Sequence, residues 1–266
     1  YVKWLESSGI RVVPFPWNAS GATRDKLLAS VNGVLFPGGG LSKNALIEYF
    51  NYTQYIFDYT MAQNAKGDAF FLWGTCEGFQ VLAAAAAKSL DVIRGGYPGM
   101  LPLMMPLNFT TVTANSRLLG VRQTAGYGNL YGNLQSKSCT LNWHDCGISD
   151  ESVAGTTFSD VFDVLSTNAD PQDGRVFYSA MEAKKANIYA TQFHPERPPY
   201  EFSDDNIGHS IYDIAVSEYL SNFIVQSLRR NNHSFSGGAV EAETYMMENY
   251  PRVNGGYGHQ TYWITV

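Results

Sequence analysis

The sequence predicts an α/β fold built on a mostly parallel sheet, and three features predict it. A short apolar stretch, Gly33–Phe36, runs straight into Pro37-Gly38-Gly39-Gly40. A second apolar run, residues 69–73, breaks at Gly74-Thr75-Cys76-Glu77-Gly78 and leads into an alanine-rich helical segment. Strand-like runs then return at residues 161–166, 176–181 and 187–193 before a closing amphipathic segment. Strands that alternate with helices in this way form βαβ units, and those assemble into parallel sheets.

Residues 1–8 have helical spacing, with Val2, Trp4 and Leu5 apolar, and Gly9 is a natural stop. Residues 10–15 read as a short strand. A polar stretch with Thr23 and Arg24 opens a short helix that ends near Ser30, and the buried strand Gly33–Phe36 follows. A longer helix is expected over about residues 46–62. The run at 69–73 has no polar alternation, as expected of a strand buried on both faces. The alanine-rich helix covers residues 79–89. From about 95 to 150 the chain is rich in Gly, Asn, Ser and Thr and reads as irregular loops with short strands. In the closing helix, about 211–230, Tyr212, Val216, Tyr219, Leu220, Phe223 and Ile224 share one face. The tail after Asn231 is polar and Gly-rich, with no sign of a second domain or an internal repeat, so residues 1–266 read as one domain.

Composition narrows the function classes. The 266-residue chain has a net charge of -6 and only 16% charged residues, which gives no basic stripe for a nucleic acid. An anionic substrate would need a local basic patch. The longest apolar stretch, residues 81–87, is far short of a membrane span. The chain starts at Tyr1 with no Met and no leader-like segment, so it is expected to be processed or a fragment. Of the three cysteines, Cys139 and Cys146 lie close in a polar loop, where pairing and two free thiols are both open; Cys76 is then the odd thiol. Sequons at Asn18, Asn51, Asn108 and Asn232 point to N-glycosylation and the secretory route.

The chemistry gathers at two motifs. Gly74-Thr75-Cys76-Glu77-Gly78 has the form Gly-x-nucleophile-x-Gly between a strand and a helix, the context that motif requires. Cys76 would sit on a tight turn at a helix start, where partial positive charge favours a thiolate. The Glu77 amide would face the oxyanion of a tetrahedral intermediate, with a second amide from Gly39 in the glycine turn. The competing readings are an inert buried thiol and a bare turn. A cysteine nucleophile needs a base. Among His144, His194, His209, His233 and His259, only His194 ends a core strand with a carboxylate, Glu196, two residues on and able to orient its ring. A strand-end histidine without a role is the alternative. His144, in a loop, either lines the cleft or is a plain loop residue. A zinc site from His144, Cys146 and Cys139 matches no strong spacing, and no metal is expected. His233 is expected to be exposed, and His209 and His259 carry no signal.

At Gly74-Thr75-Cys76-Glu77-Gly78 and Phe193-His194-Pro195-Glu196 the chain resembles class I glutamine amidotransferases, which carry a Cys-His-Glu triad on a flavodoxin-like sheet with helices on both faces. Leu35-Phe36-Pro37-Gly38-Gly39, Met105-Pro106-Leu107-Asn108-Phe109-Thr110 and Arg197-Pro198-Pro199-Tyr200-Glu201 resemble γ-glutamyl hydrolases more closely, as do residues 1–7 and 230–233. The resemblance implies cleavage of γ-glutamyl amide bonds in folate polyglutamates, in lysosomes, in vacuoles or outside the cell, without metal or organic cofactor. It implies Cys76 as nucleophile, His194 as base, Glu196 as third member and His144 in the cleft. Arg117 also matches a family position; it is either a surface arginine, the more common case, or a candidate for holding a substrate carboxylate. A small-molecule partner is implied, with neither nucleic acid nor membrane, and family members are often dimers. Two departures stand out. The strand that opens family members before the first helix is absent, so a gap in the sheet is expected. Residues 121–146 also differ, with Asp145 and Cys146 in place of the usual residues. Rival readings are a glutaminase subunit, a hydrolase of another γ-glutamyl compound, and a non-catalytic binding protein.

Overall fold

In the computed structural model, which describes residues 1–97, 99, 101–254 and 260–264, a six-stranded sheet organises the chain. Its order is β1 (Gly33–Phe36), β2 (Phe71–Thr75), β8 (Ile188–Thr191), β7 (Val176–Ala183), β6 (Phe162–Ala169) and β4 (Asn108–Phe109). β1, β2 and β8 run parallel, and the sheet continues antiparallel through β7, β6 and β4. The six strands are joined without interruption, so the expected gap lies between none of them. β3 (Leu103–Met105) and β5 (Thr140–Asn142) form a separate antiparallel pair, as do β9 (Arg252–Asn254) and β10 (Gln260–Tyr262).

Helices cover both faces because the central strands are apolar on both. Leu72, Ile188 and Ala190 pack with α2 (Gly21–Ser30), α3 (Lys43–Ala65) and α4 (Glu77–Ala87) through Leu28, Ile56, Phe57, Phe79 and Leu82. The alternate residues Phe71, Trp73 and Tyr189 face the other way, onto Trp4 and Leu5 of α1 (Val2–Glu6) and Val216, Tyr219, Leu220 and Ile224 of α5 (Ile211–Leu228). Each such side chain contributes roughly 1.5–3 kcal/mol on full burial. The six apolar positions assigned to the closing helix all fall in or against this second cluster.

Boundaries shift where caps act. Ser42 accepts the Ala45 N–H at 3.5 Å and starts α3 three residues before its apolar periodicity begins. Lys88 ends α4 in a left-handed conformation (φ 56°). Residues 10–15 do not form a strand, contrary to the sequence pattern. Their alternation is real, since Ile10 and Val12 pack toward one cluster and Val13 and Phe15 toward another. A pleated side-chain pattern describes packing, however, and supplies no hydrogen-bonded neighbour. The C-terminal segment is more than a polar tail: Gly238–Thr244 is helical, and Ala242 packs with Phe235 against Leu27.

Candidate active site

Three strand ends meet at one edge of the parallel half of the sheet. β1 and β2 are in register through Phe36 and Gly74, and β2 and β8 through Thr75 and Thr191. The segments that leave them, residues 37–40, Cys76 and residues 193–196, therefore lie side by side. This is the carboxyl edge where ligands bind in open α/β sheets.

Cys76 caps α4 with φ 56° and ψ -110°, a conformation that costs an L residue on the order of 1–3 kcal/mol. Its amide donates to the Thr191 carbonyl at 2.9 Å, and its carbonyl accepts from the Gln80 amide at 3.1 Å. The flanking glycines are required by close approach. A Cβ on Gly74 would lie 2.6 Å from the Gly78 carbonyl oxygen, and one on Gly78 would run into the Phe36 carbonyl. The turn thus presses the start of α4 against β1 and β2 and aims the helix N-terminus at the sulfur. The thiol is buried, 2% exposed, with the Trp143 carbonyl 3.7 Å away.

His194 is fixed by its amide, which donates to the carbonyl of Leu141 in β5 at 2.8 Å. Its Nδ1 donates to Glu196 Oε1 at 2.7 Å, and both side chains are almost wholly buried. Nε2 has no hydrogen-bond partner among the described residues and is left available to the neighbouring Cys76, whose charge favours that of the ring. Burial works against the charged ring, but the Glu196 carboxylate and Cys76 outweigh it and raise the His194 pKa. Burial likewise opposes the charge on Glu196, and the imidazolium overrides it and holds the carboxyl low. A thiol facing an imidazole whose other nitrogen is held by a buried carboxylate is the arrangement nucleophilic catalysis requires.

The glycine turn lies against both groups. A Cβ on Gly38 would come within 2.9 Å of His194 Cε1 and 3.0 Å of Cys76 Cβ. Together they line a cleft of about 390 Å³, with Gly39, Tyr97, Leu101, Trp143, His144, Asp145 and Arg197 completing the wall. That volume suits a small molecule. His144 is part of this wall and is buried. Its Nδ1 donates to the Cys146 carbonyl at 2.8 Å, so Nε2 is an acceptor, and no group among the described residues satisfies it. Burial, aided by the charge of His194, drives the His144 pKa down to about 4 and keeps the ring neutral.

Arg117 is not at this cleft, contrary to its selection from sequence. It bonds the Ala183 and Ala186 carbonyls, ahead of β8, and stands 3.7 Å from Glu182. That is the opposite end of the sheet from Cys76, and its guanidinium is used up in fastening the β7–β8 connection. The cation at the cleft is Arg197, beside Glu196 (3.7 Å) and Glu201 (3.2 Å) and lying over the Trp143 ring at 4.7 Å. Its place directly after His194-Pro195-Glu196 was the available signal. Tyr1, whose hydroxyl accepts the Gly38 N–H at 2.7 Å, gave no signal in sequence. His233 is half-buried rather than exposed and bonds Asp68 at 2.6 Å, and His209 bonds the Pro198 carbonyl at 2.6 Å. His259 lies outside the described residues. Cys76, Cys139 and Cys146 are all free, so the pairing left open by the sequence is not made, and burial pushes the Cys139 thiol up to about 12.

Residues 2–213 match the family model described as glutamine amidotransferase class-I. γ-Glutamyl hydrolase B of Dictyostelium discoideum is 35% identical over 90% of this chain and 68% of its own length. The γ-glutamyl hydrolase of Homo sapiens is 31% identical over 96% of this chain and 78% of its own. The glutaminase domain of Trypanosoma brucei CTPS, solved with bound acivicin, shares the fold with a TM-score of 0.53 at 13% identity, covering 89% of each chain. With similarity of this extent on both measures of sequence, the chain belongs to the class I glutamine amidotransferase family and, within it, to the γ-glutamyl hydrolases.

Proposed function

We propose that this chain is a cysteine hydrolase that cleaves the γ-glutamyl amide bonds of folate polyglutamates through a thioester on Cys76. The observation that carries the reading is the strained turn that presents Cys76 to His194 in a small-molecule cleft. The Cys76 thiolate attacks the γ-carbonyl, and the oxyanion is received by the amides of Glu77 and Gly39. His194, charged and steadied by Glu196, gives its proton to the departing amine and then activates the water that resolves the thioester. Neutral His144 offers Nε2 as an acceptor for a substrate N–H. Arg197 supplies the local positive charge that a glutamate carboxylate needs in a chain of net charge -6. None of these steps calls on a metal or organic cofactor. The four sequons support a secreted, lysosomal or vacuolar location, and the described helices include none long and apolar enough to cross a membrane.

The test is incubation with a folate pentaglutamate at acidic and neutral pH, beside a Cys76→Ala control, with products read by mass spectrometry. Release of glutamate or oligoglutamate by the wild type alone is expected, with at least about a 10³-fold loss in the variant. Hydrolysis of free glutamine with the pentaglutamate untouched would instead make the chain a glutaminase, and activity surviving in Cys76→Ala would remove the thioester.

A further inference from the structure

The loop between β1 and α3 is fastened at three points. The Pro37 carbonyl accepts from the Tyr49 hydroxyl at 3.2 Å, the Gly38 amide donates to the Tyr1 hydroxyl at 2.7 Å, and the Leu41 amide donates to Glu77 Oε1 at 3.1 Å. Gly39, whose amide is one of the two oxyanion donors, lies between the second and third of these. Glu77 reaches it as well, since a Cβ on Gly39 would collide with Glu77 Oε2. Glu77 is the first residue of α4, directly follows Cys76 and is buried at 7% exposure. Its own amide is the other oxyanion donor. One residue thus contributes a donor through its backbone and holds the loop carrying the other donor through its side chain.

We infer that the Glu77 carboxyl is a positioning residue that sets the spacing between the Glu77 and Gly39 amides, and through it the stabilisation of the tetrahedral oxyanion. The inference rests on the thioester reading above. A long polar side chain is needed for this because the Leu41 amide must be met by an acceptor, and an apolar residue of the same length would leave it unpaired. A full negative charge so near a developing oxyanion would oppose the reaction. Burial, however, pushes the Glu77 carboxyl up from its usual range, with Tyr49 of α3 and Cys146 the titratable groups that feel its charge. In either protonation state a carboxyl oxygen accepts the Leu41 N–H.

The experiment compares wild type, Glu77→Ala and Glu77→Gln on a chromogenic γ-glutamyl anilide, with rates expressed per Cys76 alkylated to completion by a γ-glutamyl chloromethyl ketone, a substrate-shaped reagent that needs the folded cleft, and the labelled site confirmed by peptide mass because Cys139 and Cys146 are also free. For Glu77→Ala, kcat falls about 10- to 100-fold, the range for a slightly misplaced oxyanion donor, while KM stays within about twofold. Glu77→Gln, which keeps the acceptor, recovers most of that loss. A second measurement uses a γ-glutamyl aldehyde. The Cys76 thiolate, its proton held by His194, adds to the carbonyl: the S–C bond forms as the C–O π bond breaks, and the oxygen receives the negative charge. Aldehyde affinity falls in Glu77→Ala by the same factor as kcat. The inference is overturned if Glu77→Ala matches wild type per titrated site, if the loss appears in KM alone, if Gln does no better than Ala, or if aldehyde affinity is unchanged. A wild type that turns over neither the anilide nor the folate pentaglutamate counts against the hydrolase reading itself, and the aldehyde comparison then still decides the role of Glu77.

Discussion

The His194 imidazole is held between burial, which disfavours its charge, and two partners that favour it, Glu196 and Cys76. The balance makes a specific prediction for Glu196→Gln. The amide still accepts from Nδ1, so the ring keeps its orientation, but the counter-charge is gone and burial regains the upper hand. The alkaline limb of kcat/KM should move to lower pH by about one unit or more. The rate should drop by between about 10² and 10⁴. A pH-rate profile with the limb unmoved would sink this account of the pair. The same pair sets a stability window. Glu196 titrates below its ordinary 4.5, so its contribution is complete above 4.5 and is lost as pH falls through the folded value. His194 titrates above its ordinary 6.5, so its contribution is complete below 6.5 and is lost as pH rises through the folded value. Both contributions are whole together between those ordinary values, in the mildly acidic range. His144 acts in the opposite sense: its depressed pKa makes the fold lose stability as pH falls from 6.5 toward about 4.

At the scale of elements, the turn between β2 and α4 holds a conformational cost that the rest of the sheet imposes. Its test separates strain from chemistry. Cys76→Gly and Cys76→Ala both lack the thiol and should both be inactive, yet they differ in backbone freedom at φ 56°. Glycine adopts that region freely and alanine does not, so the Gly variant should be the more stable by about 1 kcal/mol. That ordering reverses the usual preference for Ala over Gly in helices. Urea unfolding of the two variants measures it, and an Ala variant as stable as the Gly variant would mean that the turn relaxes without cost. This turn was legible in the sequence because Gly74 and Gly78 mark the two sites where backbone meets backbone. The buried strands were legible for a related reason: Phe71, Leu72 and Trp73 can only be hidden if both faces are covered. Residues 10–15 were misread because apolar alternation reports which side chains are buried, and the hydrogen-bonding neighbour that makes a strand leaves no mark in the segment itself.

Across the whole molecule, what the sequence could not assign is which charge meets which partner. Arg117 is the arginine picked from sequence for a carboxylate, and its fate is settled by distant residues: Glu182 and two carbonyls claim it, while Arg197 stands at the cleft. Tyr1 reaches the site only because α1 packs on the far face of β2 through Trp4 and Trp73, whose rings are 6.2 Å apart. The sequons pose the same kind of global question, since a glycan needs a surface. Asn18, Asn51, Asn108 and Asn232 are all exposed, and none lines the cleft, so four glycans fit the folded chain without closing the site. Asn51 carries an extra constraint. It lies within α3, and Thr53 of its sequon is completely buried. A transferase that reads Asn-x-Thr needs both side chains accessible, so Asn51 must be modified before α3 docks onto the sheet. Asn18, in the turn before α2, and Asn232, after α5, carry no such requirement. Produced through a eukaryotic secretory pathway, the protein should lose mass in steps on treatment with an N-glycosidase. Asn18→Gln and Asn232→Gln should each remove one step. Slowing synthesis should raise occupancy at Asn51 and leave Asn18 and Asn232 unchanged, because it lengthens the time before α3 folds. Intact-mass spectra that show no glycan at any of the four positions would overturn the secretory reading, and occupancy at Asn51 insensitive to synthesis rate would remove the folding constraint.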